Sequence, residues 1–259
     1  MSLKGRIVVV TGAASGIGRA AAARLGADEA RVIGVDVRPT GLADEHRVDL
    51  SDPGEIDRLV EELPDGIDGL CNVAGVPPSA PPWMVLAVNA KGLQRLTEGL
   101  VPKMSNGASI VNVASSAGMG WADSVQRLRL FDDVAFRRED LQSFVEEQGL
   151  EVGGRSYTFS KEFVVTWTMR MCWAWRDRGI RMNAISPGPV DTPILPDFVA
   201  TLERAPRVME IMDRPGRPED IAPVIAFLLT DDAAWFRGCN LAIDGGLTSH
   251  LLAEGHGLG

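Results

Sequence analysis

The chain has 259 residues, 45% of them hydrophobic and 24% charged, and carries a net charge of −9 at pH 7. That length and apolar share suit one large domain, so no second domain is required. The acidic surplus opposes phosphate backbones and anionic membrane surfaces, which need clustered Lys and Arg, so neither nucleic acid nor membrane is expected as a partner.

The first residues, MSLKGRIVVV, pass directly into a β-branched run, and nowhere do 18 uncharged apolar residues occur together, which predicts a cytoplasmic protein. Cys71, Cys172 and Cys239 lie in apolar runs without metal-ligand spacing and are expected as reduced core residues. His46, His250 and His256 are scattered, so no metal site is expected.

The stretch Arg6 to Leu25, RIVVVTGAASGIGRAAAARL, predicts a buried strand, a tight glycine turn and a helix. Gly12 can turn out of the strand, Gly16 lets the main chain approach a pyrophosphate, and Gly18 lets the helix pack close. The helix aims its free N–H groups and partial positive charge at that gap, as a dinucleotide diphosphate requires. The second apolar run, Arg31 to Val35, ends in Asp36, eighteen residues beyond Gly18, where an acid meets the adenosine ribose. A carboxylate there favours NAD over NADP, because it would repel a 2′-phosphate, whereas Arg38 two positions on is a group that could attract one.

Val48 to Leu50 predicts a short strand end, with Ser51 or Asp52 capping a helix that has Pro53 at its first position and runs to about Leu63. Ile67 to Val73 is a further strand, followed by Ala74-Gly75 and a proline-rich loop. Apolar spacing predicts a helix from Trp83 to Met104 and then a strand over Ala108 to Ala114. The alternation calls for a parallel sheet with its ligand at the carboxyl ends of the strands. Gly118 to Gly154 breaks this rhythm with charged, helix-periodic sequence and is expected as an insertion of about 119–152. A helix from Ser156 to Arg178, a strand over Ile180 to Ile185, a mobile apolar loop of about 189–215, a helix from Pro218 to about Leu229 and a strand over Asn240 to Ile243 complete a sheet of about seven strands.

Tyr157 and Lys161 stand four apart on a predicted helix and share one face. An ammonium beside a phenol stabilises phenolate and brings a pKa of ~10 toward neutrality, as general acid and base work requires. Tyr157 is the only tyrosine in the chain, which makes the pairing unlike a chance match.

With these motifs in order, the chain resembles the short-chain dehydrogenase/reductase family along nearly its whole length. The matching residues are Thr11-Gly12-Ala-Ala-Ser15-Gly16-Ile17-Gly18, Asp49, Asn72-Val-Ala74-Gly75, Asn89, Ser115, Tyr157 with Lys161, and Pro187-Gly188 with Thr192. The resemblance implies a single-domain α/β Rossmann fold, a doubly wound parallel sheet with a helical insertion between Ser115 and Tyr157. It implies that Tyr157 transfers the substrate proton, Ser115 hydrogen-bonds the substrate oxygen, and Lys161 tunes the phenol and holds the nicotinamide ribose. Asn89 would hold a relay water, with an ordinary helix-surface role as the alternative. Ser115 is preferred to Ser116 because it follows Asn-Val-Ala. Asp49 meets the adenine or serves a cap or loop, with Leu50 beside it. Pro187, Gly188, Val190 and Thr192 touch the nicotinamide side or form a plain turn.

Forty-two residues separate Ser115 from Tyr157, more than in most of the family, which resembles the branch of 3α-hydroxysteroid dehydrogenase/carbonyl reductases and coniferyl alcohol dehydrogenases. Met119, Trp121, Ile194, Leu195, Phe198, Val199 and Met212 line an apolar pocket or pack a lid. The expected activity is NAD-dependent interconversion of a hydrophobic alcohol and its ketone or aldehyde. A non-catalytic dinucleotide sensor and a dehydratase or epimerase are the alternatives. Trp167, Trp173 and Trp175 suggest aromatic surface suited to a homodimer or homotetramer.

Overall fold

A computed structural model of the chain describes residues 3–202 and 205–258. The first apolar run forms β1 (Ile7–Thr11), buried from Val8 onward because layers press on it from both faces. The chain turns at Gly12, whose φ of +69° glycine adopts without steric cost, and enters α1 (Gly16–Ala27). β2 (Arg31–Asp36) and β3 (Glu45–Arg47) follow. The predicted strand over Val48 to Leu50 is displaced: β3 ends at Arg47, and Val48 adds one more bond to the Asp36 carbonyl before the chain leaves.

α2 (Pro53–Glu62) is capped by Asp52 rather than Ser51, its carboxylate accepting from the Gly54 and Glu55 amides at 2.7 and 3.2 Å. β4 (Ile67–Asn72) comes next. The single helix predicted for Trp83 to Met104 is broken into α3 (Pro82–Leu86), a π-type turn over Ala87–Gly92 and α4 (Leu93–Leu100), and Met104 opens β5 (Met104–Val113). The wide turn coincides with a close approach: a Cβ on Gly92 would lie 2.2 Å from the Leu50 carbonyl oxygen.

The insertion folds as a 3₁₀ turn over Ser116–Ser124, α5 (Val125–Asp132) and α6 (Arg138–Glu147). α7 (Arg155–Arg170) stops eight residues before the predicted Arg178, and just beyond it Cys172 wedges against Gly238, where a Cβ would lie 2.6 Å from that of the cysteine. β6 (Arg181–Pro187), α8 (Leu195–Thr201), α9 (Ala205–Ile211), α10 (Pro218–Leu228), β7 (Asn240–Ile243) and an unpredicted α11 (Leu247–Gly255) complete the chain.

The seven strands form one parallel sheet in the order β3-β2-β1-β4-β5-β6-β7. α1 and α10 pack together over one apolar core, and α2, α4 and α7 cover the other. The order reverses between β1 and β4, which opens a crevice at the carboxyl ends of those strands. This is a single-domain α/β Rossmann fold.

The insertion lies against the outer face of α7. Phe131 of α5 has ring centroids 5.0, 5.3 and 5.2 Å from those of Phe144, Phe159 and Phe163, and Trp167 stacks on Phe163. Lys91 reaches from the π-type turn to the Phe131 and Asp132 carbonyls at 2.9 and 3.4 Å, satisfying the negative end of α5. Trp167 is thereby buried, so the expectation of exposed aromatic surface along this helix holds only for Trp173 beyond its end, which is 62% exposed beneath Arg237. The cysteines are free, but only Cys71 is fully buried, whereas Cys172 and Cys239 are half-buried. Among the described residues, no three His, Cys, Asp or Glu gather as metal ligands, and no helix is long and apolar enough to cross a membrane.

Candidate active site

At the switch point the ends of β1 and β4 are tied together. The Thr11 hydroxyl accepts from the Val73 and Ala74 amides, both at 3.0 Å, and Gly12 lies so near Ala74 that a Cβ there would approach its backbone to 2.9 Å. A Cβ on Gly18 would lie 2.1 Å from the Gly12 carbonyl oxygen, so α1 sits directly on the turn. Gly16, at φ +52°, faces the Thr192 methyl. Ser15 occupies the N-cap of α1 without capping it, which leaves the leading amides of that helix without a side-chain acceptor. This donor set fits a diphosphate.

At the end of β2 the Asp36 carboxylate accepts from the Ala14 and Arg38 amides, both at 3.0 Å. The Arg38 guanidinium reaches back to the Ser15 hydroxyl at 2.8 Å and stays 3.8 Å from Asp36. Asp49 has one carboxylate oxygen on the Ser51 amide, a local turn, and Leu50 is buried beneath Gly92. Asn72, expected at the cofactor, turns its side chain the other way. Its amide nitrogen donates to Thr97 and Asn112 in the layer between β5 and α4, and its oxygen is buried without a partner. The cause is strand alternation: successive side chains leave β4 on opposite faces.

A cleft of about 740 Å³ runs from Ile17 and Gly75 past Val113, Ser115, Tyr157 and Lys161 to Pro187, Gly188, Val190 and Thr192. Ser115 starts the 3₁₀ turn, and its hydroxyl accepts from the Ala117 amide at 3.2 Å. The Tyr157 phenol hydrogen-bonds Ser115, and the Phe198 ring meets it edge-on at 4.8 Å. Lys161 donates to the Val113 carbonyl at 2.9 Å and stands 5.6 Å from the centre of the phenol ring. Asn89, in the π-type turn, is no surface residue: it is buried, accepts from the Val76 amide at 2.8 Å, and donates to Ser160 at 3.3 Å. A Cβ on Gly75 would come within 3.2 Å of Asn89 and 3.8 Å of the Lys161 ammonium, so these groups share one corner.

The electrostatics differ from the expected pairing. Burial pushes the Tyr157 phenol above its ordinary range, against the opposing effect of the Ser115 hydrogen bond, and pushes Lys161 down to about 8. Lys161 does not depress the phenol as the sequence suggests, because desolvation outweighs an ammonium that is turned toward the Val113 carbonyl.

Of the expected apolar lining, Met119, Ile194, Leu195, Phe198 and Val199 border the cleft. Trp121 instead packs against the core beside α7, and Met212 is absent from the lining, its place taken by Val208 and Met209 one turn earlier. Residues 203 and 204 of the expected 189–215 loop lie outside the described residues. Sequence reasoning missed Leu247, Leu251 and Leu252 on α11, whose i, i+4 spacing was the available signal, and Thr158 and Glu162 on α7. Glu162 stands immediately after Lys161 as the one acidic residue of α7, and that isolation was the cue.

Residues 6–125 match the family model described as short chain dehydrogenase, and residues 141–248 match one described as enoyl-(acyl carrier protein) reductase. The coniferyl-alcohol dehydrogenase of a Pseudomonas sp. is 39% identical over 254 residues, covering 96% of this chain and 99% of the relative. The 3-alpha-hydroxysteroid dehydrogenase/carbonyl reductase of Comamonas testosteroni is 27% identical over 249 residues, with 93% and 96% covered. Among solved structures, the 3-alpha-hydroxysteroid dehydrogenase from Pseudomonas sp. B-0831 complexed with NADH matches with a TM-score of 0.82 at 30% identity, covering 96% of this chain and 99% of that one.

Proposed function

This chain belongs to the short-chain dehydrogenase family and is an oxidoreductase of the alcohol dehydrogenase type; we propose that it uses NAD to interconvert a hydrophobic cyclic or aromatic alcohol and its carbonyl, with Tyr157 as general acid and base. Convergence of the only phenol of the chain with the Ser115 hydroxyl and the Lys161 amine, on one cleft with mostly apolar walls, supports this most directly.

Bound nicotinamide supplies the hydride chemistry. The chain's own residues handle the proton and the position of the substrate. In reduction Tyr157, held protonated by burial, gives its proton to the carbonyl oxygen while Ser115 donates a hydrogen bond to the charge that develops there. In oxidation the phenol must first lose its proton, so this direction speeds up as pH rises. Lys161, poised near 8, and Asn89 in the same corner suit a proton path. The residues that would hold the dinucleotide are Gly12, Ser15, Gly16, Ile17 and Gly18 at the diphosphate, Asp36, Asp49 and Leu50 at the adenosine, and Ala74, Gly75, Pro187, Gly188, Val190 and Thr192 at the nicotinamide. Asp36 argues for NAD, since its charge opposes a 2′-phosphate.

Apolar groups from α8, α9 and α11 favour a bulky substrate, as do the names of the relatives, one for coniferyl alcohol and one for a 3-alpha-hydroxysteroid. Assembly as a homodimer or homotetramer is part of the proposal, supported by Trp235, which is 98% exposed. The test is a panel of steroid, phenylpropanoid and cyclic alcohols with NAD and with NADP, followed by reduced-cofactor absorbance. Turnover of at least one class, faster with NAD, is expected, and no turnover of any would refute the reading.

A further inference from the structure

The cleft does not end at the trio. Thr158 and Glu162 lie four apart on α7, one residue on from Tyr157 and Lys161, so they present a neighbouring face of the same helix. Both border the cleft, together with Gly120 and Asp123 of the 3₁₀ turn. Both also border a second cavity of about 340 Å³, whose other walls include Arg127, Gln148 and Arg155. Glu162 is thus part of the partition between the two spaces. Only 6% of it is exposed, yet its carboxylate points at Gly120, where a Cβ would lie 3.7 Å from Oε1. A carboxylate buried to this degree is costly unless it has a use or full pairing. Ser124 gives it one hydrogen bond and Arg127 a compensating charge.

We infer that Glu162, backed by Thr158, is a specificity residue that accepts a hydrogen bond from a neutral hydroxyl on the end of the substrate remote from the reacting carbon. The charges select that class. Among the described residues that line the cleft, Lys161 is the only cation and is committed to the Val113 carbonyl, whereas Asp123 and Glu162 beside the subsite are both acids, so a substrate carboxylate seated there meets repulsion. Arg127 already offsets Glu162, so a substrate ammonium gains little net charge to repay its desolvation. A hydroxyl or phenol pays neither cost. The inference rests on the alcohol dehydrogenase reading, since it takes Tyr157 and Ser115 as the reacting end.

Calorimetric titration of cinnamyl alcohol and p-hydroxycinnamyl alcohol into the NADH-saturated protein tests it, because no hydride acceptor is present and binding is read alone. The phenolic alcohol should bind roughly tenfold tighter or more, the worth of a hydrogen bond to a charged acceptor. That ratio should fall to near one in Glu162→Leu and stand between the two in Glu162→Gln, and each ratio is internal to one variant, so general damage cancels. Equal affinities in the wild type, binding of neither alcohol, or a preference that survives Glu162→Leu would overturn the inference. Turnover of the same pair with NAD is scored separately: a binding preference without turnover refutes the alcohol dehydrogenase reading and leaves the subsite standing.

Discussion

Gly118 and Lys161 touch through their backbones: a Cβ on Gly118 would lie 2.6 Å from the Lys161 carbonyl oxygen and 3.1 Å from the Glu162 amide nitrogen. The 3₁₀ turn that Ser115 caps is therefore seated on α7 with no space between them, and this contact holds Ser115 beside Tyr157. Substituting Gly118→Ala should push the turn off the helix. Overpacking of this kind costs about 1–3 kcal/mol. Thermal melting should show that loss, and kcat should fall about tenfold or more while cofactor affinity changes little, because the dinucleotide loop lies elsewhere. An unchanged kcat would mean that the trio tolerates the displacement.

Lys161 makes the protein less stable. Its value of about 8 in the folded chain lies below the ordinary 10.5, because burial penalises the charged form. The cost is full below pH 8, where the amine is charged in both states, and vanishes above about 10.5, where it is neutral in both. Lys161→Met should therefore be more stable than the wild type at neutral pH, by at most about 3 kcal/mol, and the gap should close as pH rises through that window. It should also be nearly inactive. Melting curves of both proteins across that pH range check the sign.

Replacing Asp36→Asn removes the charge that opposes a 2′-phosphate while leaving Arg38 and its bond to Ser15 in place. The ratio of kcat/KM for NAD to that for NADP should fall by about tenfold or more. Part of the loss should fall on NAD itself, because the carboxylate also orders the Ala14 amide. A ratio that does not move would show that this carboxylate does not choose the cofactor.

The insertion is fixed by buried aromatic packing, to which the half-exposed Arg170–Asp132 ion pair at 2.8 Å between α7 and α5 adds little. Phe131 is fully buried among three other phenylalanines, so Phe131→Ala should cost about 3–5 kcal/mol. Because α7 carries both Tyr157 and the ring partners Phe159 and Phe163, the variant should lose activity at temperatures below its melting point. Activity that tracks the folded fraction alone would uncouple the insertion from the site.

Much of this was legible in the chain. The alternation of apolar runs and helical periods is a local property, and it located the sheet, the glycine turn, the insertion and Tyr157 with Lys161. What escaped is decided by tertiary contact. The break at Ala87–Gly92 depends on Gly92 meeting the loop at Leu50, and the early end of α7 coincides with Cys172 meeting Gly238. Asn72 was misplaced because a motif gives the residue but not the face it turns to. The raised phenol was missed because charge proximity is visible in spacing, whereas desolvation belongs to the folded core. Glu162 was passed over because a lone acid on a helix looks like surface until its burial is known.

The central claim is that Tyr157 moves the substrate proton, and the most direct measurement compares kcat for alcohol oxidation, read as NADH appearance, between the wild type and Tyr157→Phe, with NADH affinity determined calorimetrically for both. A fall of about 10²–10⁴ in kcat with affinity retained is predicted, and equal turnover by the phenylalanine variant would contradict the account.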